Sequence, residues 1–163
     1  MGEAEMIHIR KAIASDHSEI SVLAEEIARQ HHAHSPHVFA APPGIERDRA
    51  LWRSCIEMTN GVMLVAHHGE ELVGFISAEL FPQNGITFLK PRVLCHVNTL
   101  VVTETMKHKG IGKLLMTATE EWAQSAGADE IRLEVFDKNN DAMEFYRRVG
   151  YALQSHIMTK EIS

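Results

Sequence analysis

At 163 residues, with 45% hydrophobic and 23% charged residues, the chain has the length and composition of one ordinary globular domain with a sizeable core and has no room for a second. A formal net charge of -6 and a pI near 6.0 exclude the basic face or stripe that non-specific nucleic-acid binding requires. No apolar run reaches the roughly 18 residues of a membrane span, and the opening MGEAEMIHIR lacks the apolar core of a signal peptide, so the sequence reads as a cytoplasmic protein without a membrane partner.

Residues 6–12 can form a first strand, with Ile7 and Ile9 on one face. Asp16 with Glu19 fits a capping box, and Ile20, Leu23, Ala24, Ile27 and Ala28 recur at helical spacing to about His31. The segment HAHSPHVFAAPPG, residues 32–44, carries three prolines and reads as a loop. Ile45, Trp52, Cys55 and Ile56 then suggest a second helix that Asn60-Gly61 ends. Residues 62–66 and 72–80 read as antiparallel strands joined by a short turn containing Gly69. After an irregular stretch at 81–92, VLCHVNTLVV at 93–102 is the most strand-like run, dense in β-branched residues and apolar on both faces near its end. That pattern predicts a central position.

A helix from Gly110 places Ile111, Leu114, Leu115, Ala118 and Trp122 on one stripe and stops at Gly127. Residues 131–136 read as a buried strand. Asn139 or Asn140 can cap a last helix, in which Ala142, Phe145, Tyr146 and Val149 share a face and Gly150 closes the end. Residues 152–162 are strand-like. The order β-α-α-β-β-β-α-β-α-β suits a mixed sheet covered by helices on both faces.

Thr103 to Leu115, TETMKHKGIGKLL, joins a strand to a helix through a basic glycine turn. Unpaired N–H groups and the positive end of the macrodipole make a helix start an anion site, and glycines let a diphosphate approach the main chain. A P-loop would need glycine at Lys107 and Ser or Thr at Leu114; a dinucleotide fingerprint would need Gly or Ala at Leu115. Neither spacing fits. Alone, the turn is equally explained as turn chemistry.

A second constellation lies downstream. Asn139, Ala142, Phe145, Tyr146, Gly150 and Tyr151 form N-x-x-A-x-x-F-Y-x-x-x-G-Y about 30 residues after the turn with a strand between, and TLVV precedes the turn. Together these resemble the GNAT superfamily of acetyl-CoA-dependent N-acetyltransferases over residues 93–158. The resemblance implies a single domain, residues 1–163, with a mixed, mostly antiparallel sheet of the acyl-CoA N-acyltransferase type. It implies acetyl-CoA as co-substrate, its pyrophosphate held by the turn from Met106 through Lys107, His108, Lys109, Gly110, Ile111 and Gly112, with Lys113 adding charge. Lys107 stands where the family usually has Arg or Gln. The resemblance further implies a bulge at the end of the preceding strand, which splays from residues 131–136 so that Leu100, Val101 and Val102 pair with the pantetheine arm. Asn139 and Ala142 match the family's positions near that arm, and Tyr146 its tyrosine beside the thioester sulfur. On their own residues, Asn139 is equally a helix cap and Tyr146 a core aromatic.

A primary amine of pKa near 10.4 is neutral in only about one molecule in 2,500 at pH 7, a deficit of roughly 4.6 kcal/mol without a base. Resembling sequences often carry Glu where Asn98 stands, and an amide cannot accept the proton. His96, two residues earlier, is the candidate base, with Glu79 through a water or Glu104 as alternatives. A main-chain N–H near Leu100 would meet the oxyanion. A direct attack needs neither cysteine: Cys55 and Cys95 lie in apolar segments without metal or redox spacing and read as reduced, buried thiols. Of eleven histidines, His31, His32, His34 and His37 cluster. No acid accompanies them and Pro36 marks a loop, so they are expected to line an acceptor pocket rather than hold a metal. The acceptor is then a small-molecule or peptide amine, and a homodimer is compatible with families of this kind. The rival readings are a non-catalytic acyl-CoA sensor of the same fold and an unrelated binding module.

Overall fold

The structure, a computed structural model, describes residues 6–163 apart from residue 86. Residues 1–5 of the amino-terminal stretch and Ile86 of the irregular stretch at 81–92 lie outside the described residues. Two compact units are distinguished, one up to Leu133 and one from Glu134 to Ser163.

The first unit is built on one five-stranded sheet in the order β1-β2-β3-β4-β5: Ile7–Lys11, Gly61–His68, Glu71–Gln83, Arg92–Val102 and Glu130–Arg132. All neighbours are antiparallel except β4 and β5. Gly69, at φ +61°, supplies the left-handed residue of the tight β2–β3 turn. Helices α1 (His17–His34), α2 (Ile45–Glu57) and α3 (Ile111–Ser125) pack on the sheet. The β2 and β3 side chains are buried on both faces along most of their length, which is why these strands read as near-continuous apolar runs.

On one face Ile20 and Leu23 of α1 and Trp52 of α2 form a core with Met63, Val65, Leu72, Phe75 and Val101. The Trp52 and Phe75 rings meet edge to face at 5.1 Å. Each such side chain contributes about 1.5–3 kcal/mol by leaving water. On the opposite face α3 sits directly over Gly74. A Cβ there would lie 2.8 Å from the Val101 carbonyl oxygen and 3.3 Å from Leu115 Cδ1, so only glycine allows this close seat. The buried side of α3 runs through Ile111, Leu115, Thr119 and Ala123 with Met116, whereas Leu114, expected on the stripe, is 44% exposed. Thr119 enters the core because its hydroxyl donates to the Leu115 carbonyl at 2.8 Å.

The second unit contains α4, Asn140–Arg148. Residues 152–162, expected as a strand, form none. Leu153 and Ile157 fall on one parity of that segment and Ala152, Met158 and Ile162 on the other, so neither face of an extended chain there is apolar enough to drive burial. The strand expected over residues 131–136 is confined to Glu130–Arg132, and Phe136 is exposed. No described helix is long and apolar enough to cross a membrane.

The expected Asp16–Glu19 capping box is also replaced. Asp16, 4% exposed, turns back to accept the Ile13 N–H at 2.7 Å and a two-pronged contact from Arg10 at 2.8 and 2.9 Å. Arg10 also reaches His67 Nε2 at 3.1 Å, so this cluster ties β1 and β2 to the start of α1. The Arg10 hydrogen bond, opposed by burial and aided by the Ile13 N–H, holds the Asp16 carboxyl below its ordinary value. Its stabilisation is therefore full above the unfolded carboxylate range near 4 and is lost as pH falls through the depressed folded value. Asp16→Asn is expected to cost about 2–3 kcal/mol at pH 7, because Arg10 loses its partner but remains partly solvated. Urea unfolding from pH 7 to pH 3 should show the gap between wild type and variant closing at the acid end.

Candidate active site

The geometry of the site starts with the pairing of β4. Against β3 the register runs Thr99↔Ser77 and then Val97↔Ala78, so Asn98 is an extra residue on β4, a bulge. Against β5 the pairing covers only Leu94↔Glu130 to His96↔Arg132. A bulge bends its strand and increases the local twist, so a straight neighbour cannot follow it. Among the described residues, no strand pairs with residues 97–102 of β4 on the β5 side. The main chain of Leu100, Val101 and Val102 thus forms a one-sided edge, held on the other side by Phe75 and Gly74 and by the Thr103 N–H on the Val73 carbonyl at 2.8 Å.

The chain then enters a short 3-10 turn, Glu104–Met106, and reaches α3 through two left-handed residues, His108 at φ +63° and Gly110 at φ +84°. The first helical bond of α3 is Leu114 N–H to the Gly110 carbonyl at 3.1 Å. The N–H groups of Ile111, Gly112 and Lys113 precede it and have no intrahelical acceptor. Lys107 is held by Glu104 at 2.6 Å and the Lys109 ammonium lies 3.7 Å from Met106 Sδ. Glu104, one of the candidate bases, is therefore committed to an ion pair.

At the other end of β4, His96 pairs with Glu79 across β3, and its Nδ1 lies 2.8 Å from Asn98 Oδ1. The i, i+2 spacing on one strand was the only sequence signal for that contact. Burial first, and then the Glu79 carboxylate, raise the Cys55 thiol pKa. Burial pushes the Cys95 thiol up to about 11. Neither sulfur is poised as a thiolate. Of the histidine cluster, His31 stacks on Phe39 with ring centroids 4.8 Å apart and His32 Nδ1 lies 2.8 Å from the Phe39 carbonyl, so these two fold the loop after α1 back on the helix. His34 and His37 are exposed. Partial burial, then Lys107 and His34, lower the His31 pKa.

In the unit from Glu134, Asn139 caps α4, its Oδ1 accepting the Ala142 N–H at 3.2 Å. At the far end the Gly150 N–H meets the Arg147 carbonyl and the Tyr151 N–H meets the Tyr146 carbonyl, with Gly150 at φ +99°, a Schellman closure. Tyr146 packs edge to face on Phe145 and Tyr151, with centroids at 5.1 and 5.9 Å, and burial raises its phenol pKa. The glycine therefore fixes the same turn that holds the tyrosine.

The family model described as "Acetyltransferase (GNAT) family" matches residues 23–151. The chain belongs to that family. It is 25% identical over 145 residues, 89% of each chain, to the uncharacterized N-acetyltransferase YhfO of Bacillus subtilis. The match to YdgE of the same organism is 28% identical over 74 residues, 45% of this chain, and spans only about half of that relative's length, 47%. Among solved structures, a mutant of the BH1408 protein from Bacillus halodurans superposes with a TM-score of 0.86 at 22% identity, covering 96% of this chain and 99% of that one. AAC(6')-Iy in complex with a bisubstrate analog, CoA-S-monomethyl-acetylneamine, superposes at 0.77 with 11% identity, covering 97% and 99%. At these identities the two structures establish the GNAT fold. Within this GNAT chain the raised thiol pKa values have a measurable consequence. At pH 8, iodoacetamide should label Cys55 slowly and Cys95 only after denaturation, as read by mass spectrometry of the intact protein.

Proposed function

We propose that the whole chain, residues 1–163, acts as one cytoplasmic N-acetyltransferase domain that moves the acetyl group of acetyl-CoA to a primary amine by direct attack in a ternary complex. The observation that carries this reading is the one-sided edge of β4 followed, after a short turn, by the N–H groups at the start of α3 that have no intrahelical acceptor. An extended amide-bearing arm can add to such an edge as a strand does. A diphosphate suits the helix start that follows. In this reading Leu100, Val101 and Val102 pair with the pantetheine arm. The main chain from Lys107 to Lys113, through His108, Lys109, Gly110, Ile111 and Gly112, holds the pyrophosphate. Asn139, whose Oδ1 accepts the Ala142 N–H in the cap of α4, and Ala142 are assigned to the coenzyme on the motif alone.

The chemistry follows from the groups available. The amine nitrogen attacks the thioester carbonyl, the oxyanion is met by a main-chain N–H near Leu100, His96 accepts the amine proton, and the C–S bond breaks to release coenzyme A. Moving a proton from a phenol near 10 to a thiolate near 8.5 is uphill by about 2 kcal/mol in water. Burial makes the Tyr146 phenol weaker still, which favours hydrogen-bond donation to the departing sulfur over full transfer. The acceptor is a small-molecule or peptide amine, and the net charge of -6 favours a cationic one. The chain is compatible with a homodimer. The alternative is an acyl-CoA sensor of the same fold, favoured by Asn98 where a carboxylate base would stand.

Two measurements test the reading. Acetyl-CoA titrated by calorimetry should bind in the micromolar range, and Gly112→Glu should weaken it at least tenfold while leaving the melting temperature intact, because a carboxylate in a first helical turn favours the helix but repels a diphosphate. Absence of binding below millimolar concentrations would sink both coenzyme readings. Thiol release with polyamines, aminoglycosides, amino acids and peptides then separates enzyme from sensor. With an accepted amine, Tyr146→Phe should lower kcat tenfold or more with little change in acetyl-CoA affinity, and an unchanged kcat removes Tyr146 from the mechanism.

A further inference from the structure

We propose that Asn98 is a positioning residue that holds His96 in its Nδ1–H tautomer, so that Nε2 presents the basic lone pair to the acceptor amine. The inference rests on the acetyl-transfer reading and adds to it how an amide serves at a position where a carboxylate base would stand. An amide oxygen has no proton to give. With Asn98 Oδ1 at 2.8 Å, His96 Nδ1 must be the donor, and the lone pair of the neutral ring is left on Nε2. The bulge makes the contact available. As the unpaired residue between Val97↔Ala78 and Thr99↔Ser77, Asn98 has no cross-strand partner on β3, and its side chain is free to return to the residue two positions back.

The charged groups on the elements flanking His96 are compatible with an imidazolium that lasts only through the reaction. Glu79 stands directly across on β3, and Arg132 stands across on β5, where Glu130 holds it at 2.6 Å. The Cys55 thiol of α2, within electrostatic reach of Glu79, stays protonated. In the reacting complex the amine proton moves to Nε2 as the C–N bond forms. The ring then carries both protons, and Asn98 Oδ1 still accepts from Nδ1–H. The proton on Nε2 afterwards leaves to solvent or to the released thiolate, which restores the starting tautomer.

Long-range nitrogen–proton correlation spectra of the full chain, labelled with nitrogen-15 at histidine, read the tautomer without any turnover; loss of one spin system in His96→Gln assigns the ring. In alkaline buffer, where imidazole rings are neutral, His96 is expected to be protonated on Nδ1 in the wild type and to shift toward the Nε2–H form in Asn98→Ala. The same variant should lower kcat about tenfold or more, with KM for acetyl-CoA within twofold. Asn98→Asp keeps the acceptor and adds charge. It should retain the Nδ1–H form, recover most of kcat and move the acid limb of the pH–rate profile to higher pH. That variant keeps the test decisive if Asn98→Ala folds poorly. A wild-type ring protonated on Nε2 overturns the proposal, as does a tautomer or pH–rate profile indifferent to both substitutions. Failure of the underlying reading is seen separately, as wild-type protein that binds acetyl-CoA but releases no thiol with any amine.

Discussion

A β-strand normally spends its main-chain hydrogen bonds on two neighbours, and the rest of this structure depends on β4 giving up one of them part-way along. From Leu94 to His96 it has β3 on one side and β5 on the other; from Val97 to Val102, among the described residues, only β3 pairs with it. The bulge at Asn98 divides these two stretches. Unmade main-chain hydrogen bonds are costly where water is excluded, so an edge of this kind is either wet or reserved for a ligand that brings its own amides. A short 3-10 turn, Glu104–Met106, leads from this edge to the N–H groups at the start of α3 that have no intrahelical acceptor. Gly74 secures that placement, because the close seat of α3 over β3 fixes where the helix begins relative to the strand end.

Much of this was legible in the sequence because it is local. The glycine turn, the start of α3, the Asn139 cap and the Gly150 closure each need particular residues within a few positions of one another, and each is found where the spacing places it. Even the bulge was anticipated, though only through the family resemblance. What failed depends on partners distant in the chain. Asp16 stands at the N-cap of α1 as expected, but its side chain does not close a box with Glu19, because Arg10, brought alongside by β1, is the stronger partner for a buried carboxylate. Leu114 looked like core because leucine usually is; the approach of α3 to Gly74 rotates it to the rim and draws Thr119 inward. Residues 133–136 and 152–162 carry β-branched and apolar residues, yet strand formation needs a ladder partner and a consistent face, and composition supplies neither.

The same limit applied to the site. The sequence singled out His96 and Asn98 separately, one as a base and the other as a missing carboxylate. It took the bulge to show them as one hydrogen-bonded unit. Likewise the pairing of Glu104, another candidate base, with Lys107 appears only in the folded turn. In the proposed reading the ion pair also accounts for lysine where Arg or Gln is usual. If the main chain does the binding, the side chain need only stay clear, and Glu104 holds it.

A neutral imidazole is a weak base for an ammonium: with reference values near 6.5 and 10.4, full transfer in water is uphill by about 5 kcal/mol. A base of that strength works only if the proton moves as the nitrogen loses its lone pair to the carbonyl carbon, since bond formation makes the nitrogen acidic. Base and carbonyl must then be close and mutually fixed. Two constraints on one strand meet this requirement. In the proposed mechanism the oxyanion donor near Leu100 and the ring of His96 stand four residues apart on β4, with the bulge between them and Asn98 in contact with the imidazole. A carboxylate at position 98 would be a stronger charge but would need no orienter. In the proposal, an amide there moves the base two residues back along the strand and makes its tautomer the variable on which the rate would depend.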